Sequence, residues 1–384
     1  MTTHHQNRFL TTHVGSLPRS QSVVDQIFSL ERGEPIDEST FDKVMADAVD
    51  EVVRRQVVAG IDIVSDGEMS KISYATYIKD RYTGFDGDSP RRTPADLLEY
   101  PGFMNRASSG GGTPTYRRPC CVGPIAVKDE RPLQNDIKRV KEAAKKHGAK
   151  HVFMNAASPG VVSLFQPNQH YANDDEYLEA LAHALRHEYH AIVEAGLILQ
   201  IDSPDLGLGR HMMYKDLEDD VYLSRIAKHV EALNFALVAI PADRVRMHVC
   251  WGNYEGPHHK DVPLATILPT VLKAKPQSLL FETSNPRHAH EWETFTEMKS
   301  EIPEDKILIP GVLDSTTNFI EHPRLVAQRI QKFAEIVGRD RVIAGSDCGF
   351  GTFAGFGAVD SEIVYAKFAA MAEGAKIASE KFWS

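Results

Sequence analysis

Arg244-Val245-Arg246-Met247-His248-Val249-Cys250-Trp251-Gly252-Asn253 is an apolar run that stops at a Gly-Asn turn, the pattern of a buried β-strand. Side chains two apart on a strand point the same way, so His248 and Cys250 share a face. An imidazole nitrogen beside a thiolate supplies the first two ligands of a zinc site. Two further candidates close similar apolar runs where strand meets loop. They are Glu282, in Leu279-Leu280-Phe281-Glu282-Thr283-Ser284-Asn285, and Cys348, in Ile343-Ala344-Gly345-Ser346-Asp347-Cys348-Gly349. Singly, each has a plainer reading. A lone cysteine is usually inert core, a lone histidine a hydrogen-bonded core residue, and the glutamate a helix cap.

Working outward, strand-like runs recur at 10–14, 61–65, 120–125, 151–155, 197–201, 245–250, 278–281, 307–312 and 342–345. Between them lie amphipathic helical stretches at 41–59, 176–195, 219–239, 264–274, 323–337 and 361–380. The first two of these end at Gly60 and Gly196, a common way to stop a helix. Alternation of this kind over the whole length implies a parallel α/β fold, read as a single (β/α)8 TIM-type barrel spanning 1–384. Nine strand candidates leave one peripheral to an eight-stranded ring. A doubly wound open sheet is the competing architecture. It wants a glycine-rich phosphate turn after the first strand, and Val14-Gly15-Ser16-Leu17-Pro18 is not one. A segment near 82–119 breaks the rhythm. It contains Ser108-Ser109-Gly110-Gly111-Gly112 and five arginines (Arg91, Arg92, Arg106, Arg117 and Arg118), which fits either a flap meeting an anionic group or a solvated loop.

In a barrel the chemistry gathers at the carboxyl ends of the strands. Those ends hold His13, Gly15 and Ser16; Ser65-Asp66-Gly67-Glu68; Asn155; Asp202 and Asp205; His248 and Cys250; Glu282; Asp314-Ser315; and Asp347-Cys348. Ionisable or metal-binding residues close nearly every strand, and this reverses the odds from inert core to metal. The net charge of −10 disfavours a nucleic-acid partner. No run approaches a membrane span, and the polar start with its His4-His5 pair has no apolar signal core, so the cytoplasm is the expected compartment. Four cysteines are too few for a disulfide framework, and Cys120-Cys121 reads as core packing. Nothing here fixes the oligomeric state, and a homo-oligomer is compatible with it.

The segments Thr11-Thr12-His13-Val14-Gly15-Ser16-Leu17-Pro18-Arg19, Asp66-Gly67-Glu68, Gln200-Ile201-Asp202, His248-Val249-Cys250, Glu282-Thr283-Ser284, Pro310-Gly311-Val312 and Ser346-Asp347-Cys348-Gly349 together resemble the catalytic barrel of cobalamin-independent methionine synthases. The wider superfamily also holds epoxyalkane:coenzyme M transferases. The resemblance spans about residues 10–357. It implies a TIM-type barrel holding zinc through His248, Cys250, Glu282 and Cys348, and a role in methionine biosynthesis. In that family a substrate thiol joins the metal and attacks an alkyl group as thiolate. The backbone around Gly15 and Ser16 holds the amino acid's carboxylate, and Glu68 and Asp202 hold its ammonium group. Zinc suits the task because a free thiol, with a pKa of about 8.5, is mostly protonated at neutral pH. As the hardest ligand on a borderline-soft metal, Glu282 is the one expected to give way to the thiol.

Two departures bear on the alkyl donor. The family pattern carries a second, N-terminal barrel, whereas this sequence opens directly on the catalytic one. The family also has a histidine in an Asp-x-His-Ser pattern that protonates the departing folate. Here the segment reads Asp314-Ser315-Thr316-Thr317, leaving His322, just ahead of Pro323, as the expected stand-in. The leading expectation is methyl transfer to homocysteine from 5-methyltetrahydrofolate or another donor. The alternatives are opening of an epoxide by coenzyme M, with Arg19 or an arginine of 82–119 anchoring its sulfonate, and a non-catalytic thiol- or metal-binding barrel.

Overall fold

The computed structural model describes residues 7–109 and 115–384, so the His4-His5 pair and the Gly110-Gly111-Gly112 run lie outside the described residues. Eight parallel strands form the core: β1 Leu10–Thr11, β2 Ile63–Val64, β3 His151–Ala157, β4 Ile198–Asp202, β5 Val245–His248, β6 Ser278–Phe281, β7 Ile307–Leu313 and β8 Ile343–Ser346. Their spatial order is β1-β8-β7-β6-β5-β4-β3-β2. The terminal pair meets where the Asp62 N–H donates to the Thr11 carbonyl (3.2 Å) and the Thr12 hydroxyl to the Ile63 carbonyl (3.0 Å). The ring is therefore nearly closed, and the expected TIM-type barrel is found. Each strand leads to a helix of the outer layer: α1 Glu38–Val58, α2 Arg131–His147, α3 Asp174–Glu194, α4 Asp219–Ala236, α5 Leu264–Val271, α6 Trp292–Glu297, α7 Pro323–Val337 and α8 Ser361–Phe382.

Alternation along the strands sorts their side chains into two layers. One set (Leu10, Ile63, Phe153, Ile198, Leu280, Ile307, Ile309 and Ile343) packs together within the ring. The other, including Val64, Met154, Leu199 and Ala344, packs against helix residues such as Val53, Val140, Leu181 and Phe368. Above the inner apolar layer sits Arg246. It donates to Gln200 Oε1 (2.6 Å), to Thr12 Oγ1 (2.8 Å) and to the His13 carbonyl, and its guanidinium lies 3.6 Å from the centre of the Phe153 ring. A buried guanidinium is tolerated because its donors are engaged. It forms the floor under the functional end of the barrel.

One expectation is corrected and one helix is added. The run 120–125 is not a barrel strand. Only Cys120–Cys121 is extended, paired antiparallel with Phe85–Asp86 outside the ring, and the following Gly123-Pro124 removes any further ladder. It is the peripheral ninth candidate. The helix Arg131–His147 was not anticipated. Its charged residues mask the apolar positions Leu133, Ile137, Val140 and Ala144, although a proline in its first turn and left-handed Gly148 at its end mark its bounds. The 82–119 segment is anchored to the barrel. Buried Asp96 accepts the Tyr254 hydroxyl (2.8 Å) and the His258 N–H (2.9 Å) from the loop after β5.

Candidate metal centre

Strand register places the site. Asp202 at the end of β4 pairs with His248 at the end of β5, and His248 pairs with Leu280, two residues before Glu282. The loop after β8 brings Cys348 across to the same spot. One ligand atom each of His248, Cys250 and Cys348, all buried, lie within 4.8 Å of one another. The two sulfurs are 3.6 Å apart. Two sulfurs bound tetrahedrally at about 2.3 Å from zinc would be about 3.8 Å apart, so the spacing fits that metal.

The electrostatics of the trio are those of a site that shares protons. The Cys348 thiol is drawn down to about 6, chiefly by the hydrogen bond from Cys250, against burial and with help from His248. Cys250 is pushed well up by that same contact and by burial. Burial pulls the His248 imidazole down, but Asp202 and Cys348 outweigh it and raise it to about 10. Its Nε2 lies 3.1 Å from the Asp347 carbonyl and its Nδ1 3.7 Å from Asp202 Oδ1. Metal ligation needs thiolate and neutral imidazole, so a divalent cation bound by this trio would take the place of the protons its members share.

Glu282, the expected fourth ligand, is buried at the same strand end but does not join the trio. Its Oε1 accepts the Trp251 N–H (2.8 Å) and its Oε2 the Asn285 amide (2.8 Å). Asp347 fixes that loop. Its carboxylate accepts the backbone N–H groups of Thr283, Ser284 and Asn285 and the Asn285 side chain, at 2.7–3.0 Å. The aspartate beside one sulfur ligand thus holds the loop that carries the glutamate. Nothing in the local sequence marked these four bonds, because their partners lie more than sixty positions apart.

The expected amino-acid contacts also converge. A cavity of about 260 Å³ is lined by Ser16, Glu68, Asp202, His248, Cys250 and Cys348, and by the arginines Arg92 and Arg118. Gly15 (φ 141°) runs so close to Asn155 that a Cβ there would sit 2.3 Å from its Oδ1. Gly349 lets the β8 loop press on Ser16, whose carbonyl accepts the Phe350 N–H (2.8 Å). Asp202 is aimed by Gln200 (2.9 Å) and Asn155 (2.8 Å); the sequence placed Asn155 at a strand end and Gln200 in a family segment but assigned neither a role. Glu68 has a left-handed backbone (φ 56°), rare for a residue with a side chain. Its Oε2 is buried with no hydrogen-bond partner among the described residues. Burial raises its carboxyl to about 7; Lys71 lowers it and Asp202 raises it further.

Two expectations find no place at the centre. His322 is exposed at the start of α7, where its Nδ1 accepts the Arg324 N–H (3.1 Å), and it lines neither cavity that reaches Cys348. Asp314 instead closes its own turn, accepting the Thr316 N–H and hydroxyl and the Thr317 hydroxyl at 2.7–2.8 Å. Arg19 donates to the carbonyls of Gly351, Glu68 and Lys71 (2.6–3.0 Å), so it braces backbone and is not free to anchor a sulfonate. All four cysteines are free and buried, and among the described residues no helix is long and apolar enough to cross a membrane.

A TIM-type barrel with one nitrogen and two sulfur donors gathered at its strand ends carries a candidate metal site where barrel enzymes keep their chemistry. The family model described as "Cobalamin-independent synthase, Catalytic domain" matches residues 115–371, and the chain belongs to that family. It is 26% identical over 376 residues to a methionine synthase of Saccharolobus solfataricus, covering 97% of this chain and 95% of that one. It is 23% identical over 340 residues to the methionine synthase of Sulfolobus acidocaldarius, covering 88% and 85%. Among solved structures, a B12-independent methionine synthase from Shewanella sp. W3-18-1 in complex with selenomethionine superposes with a TM-score of 0.73 at 17% identity, covering 97% of this chain and 98% of that one.

Proposed function

We propose that this protein is a zinc-dependent methyltransferase that methylates the thiol of homocysteine to give methionine. Family membership and the curated relatives named methionine synthase support it. The observation that carries it is the neighbourhood of the two sulfurs: in one cavity they stand with Glu68, a buried carboxylate with an unpartnered oxygen. His248, Cys250 and Cys348 would hold the metal, with Glu282, which lines a neighbouring cavity together with Cys348, as the fourth ligand that yields. Zinc, when bound, lets a thiol be present as thiolate at neutral pH.

The remaining work falls to the chain's own side chains. Glu68 and Asp202 receive an ammonium group, and Ser16, with the backbone turn allowed by Gly15, receives the carboxylate. Together they fix the amino acid so that its side chain points at the metal ligands, which is positioning of the kind that lowers the entropic barrier of a two-substrate reaction. Coenzyme M fits this floor poorly. It has no ammonium group for Glu68, and Arg19 is committed to carbonyls, which leaves Arg92 and Arg118 as the cavity arginines able to meet its sulfonate.

The test is zinc-loaded protein offered homocysteine or coenzyme M, each with 5-methyltetrahydrofolate, methylcobalamin or epoxypropane, with thiol loss followed. Methionine formation from homocysteine is expected. Turnover of coenzyme M with the epoxide, and none of homocysteine, would overturn the proposal.

A further inference from the structure

The three sulfur and nitrogen ligands do not come from neighbouring strands. His248 and Cys250 stand at the end of β5 and Cys348 in the loop after β8, with β6 and β7 between them in the ring. Strand geometry therefore sets His248 beside Cys250 but leaves the distance to Cys348 open. The loop after β8 is tied on its other side, where the Phe350 N–H donates to the Ser16 carbonyl (2.8 Å) and Arg19 to the Gly351 carbonyl (2.6 Å). Those bonds anchor it to the loop after β1 and set no spacing toward Cys250.

Asn253 supplies that link. It lies three residues beyond Cys250, half-buried, and lines both cavities that reach Cys348. Its Nδ2 donates across the barrel mouth to the Gly349 carbonyl (2.7 Å), one residue beyond Cys348, and to Thr352 Oγ1 (2.6 Å). Its Oδ1 accepts the Ser315 hydroxyl (2.9 Å) from the loop after β7, which fixes the way the amide faces. Among the described residues, every hydrogen bond between the loops after β5 and β8 that does not use a metal ligand comes from this one side chain. An amide suits the place. It donates and accepts at once, and being neutral it does not compete with thiolate for a cation, as a carboxylate there would.

We propose that Asn253 is a positioning residue for the metal centre, a strut that holds the loops after β5 and β8 at the spacing at which Cys250 and Cys348 bind one ion. Ligands held in place before the ion arrives bind it more tightly, and loss of such a support costs about 10- to 100-fold in metal affinity. The proposal rests on the reading of His248, Cys250 and Cys348 as metal ligands, whichever thiol or methyl carrier the enzyme takes.

Competition with a chromophoric chelator tests it on the full chain, with zinc as the probe for affinity. Cobalt(II) in its place reports thiolate ligation through the sulfur-to-metal charge-transfer band. Asn253→Leu keeps the size of the side chain and removes the amide. Its zinc Kd should rise about 10- to 100-fold and its cobalt complex should lose charge-transfer intensity, while the metal-free chain keeps the wild-type circular dichroism. Thr352→Val spares the Gly349 bond and should leave both readouts at the wild-type level. Ser315→Ala frees the amide to turn and should raise the zinc Kd less, by about threefold or more, and it decides the matter if the leucine variant does not fold. A wild-type Kd in Asn253→Leu, or in Ser315→Ala where the leucine variant does not fold, would overturn the strut, as would an equal loss in Thr352→Val. Wild type that takes up no zinc overturns the metal reading and the strut together, whereas tight zinc binding by wild type and leucine variant alike overturns the strut alone.

Discussion

Glu68→Gln keeps the shape of the side chain and removes its charge, which makes it the sharpest probe of how an amino-acid thiol is held. The residue is 2% exposed, and no neighbour donates to its Oε2. A hydrogen bond from an ammonium group to such a carboxylate is worth about 1.5–3 kcal/mol. At about 1.4 kcal/mol per decade, homocysteine affinity should fall about 10- to 150-fold. The control is 4-mercaptobutanoate, which is homocysteine without its amino group. Wild type should discriminate against it by a similar factor, and the variant should bind both thiols about equally. An equal loss for both thiols would refute the assignment, since Glu68 would then be acting on something other than the ammonium group.

The pH dependence follows from the same residue. With its carboxyl near 7, Glu68 is mostly protonated at pH 6 and mostly ionised at pH 8. Homocysteine kcat/KM should therefore rise through about pH 7 in wild type and lose that limb in the variant. Stability runs the other way. The folded-state value lies above the ordinary 4.5, so the folded protein binds the extra proton, and stability falls as pH rises through the window from 4.5 to about 7. The cost at pH 8 is on the order of 3 kcal/mol, so Glu68→Gln should raise Tm at pH 8 and leave it nearly unchanged at pH 4.5.

Cys250→Ser and Cys348→Ser should each lose stoichiometric zinc by elemental analysis while keeping the barrel's circular dichroism, because the core clusters do not depend on the metal; collapse of the fold would make these cysteines structural. Asp96→Ala removes two long-range hydrogen bonds to a buried carboxylate, about 3 kcal/mol or more, so hydrogen-exchange protection around 95–98 should fall more than hundredfold while homocysteine affinity holds. His322→Ala removes only a helix cap, so it should cost at most about 1 kcal/mol in denaturant melts and leave turnover intact; a large loss of kcat would restore it as a proton donor.

Much of this was legible in the sequence because the barrel writes its strands as short apolar runs and its chemistry at their ends. His248 and Cys250 could be placed on one face from spacing alone, and the structure bears that out. Cys348 could be joined to them only through the set of strand ends, since 98 residues separate it from Cys250. What local pattern could not show was the outer ring of support. Asp347 reaches back to the loop after β6, Asp96 crosses 158 positions to Tyr254, and Trp251 holds Glu282 through its backbone. Such bonds follow from which loops meet above the barrel. The helix at 131–147 escaped for a different reason: its buried stripe is narrow and outnumbered by charges.

The floor of the cavity explains why the unpartnered carboxylate oxygen is informative. Two cations act on it, buried Lys71 and half-buried Arg19, and each spends its hydrogen bonds elsewhere. Arg19 donates to three carbonyls and Lys71 to the Asn155 carbonyl (2.7 Å). They lower the cost of burying negative charge without occupying Glu68 Oε2. A buried carboxylate would ordinarily be claimed by the nearest cation, because leaving it unpaired is expensive. Here the backbone takes the cations instead, and Glu68 is held in a strained left-handed turn that presents it to the cavity. That division of partners is what a site needs if the positive charge is to arrive with the substrate, in the cavity that Cys250 and Cys348 also line.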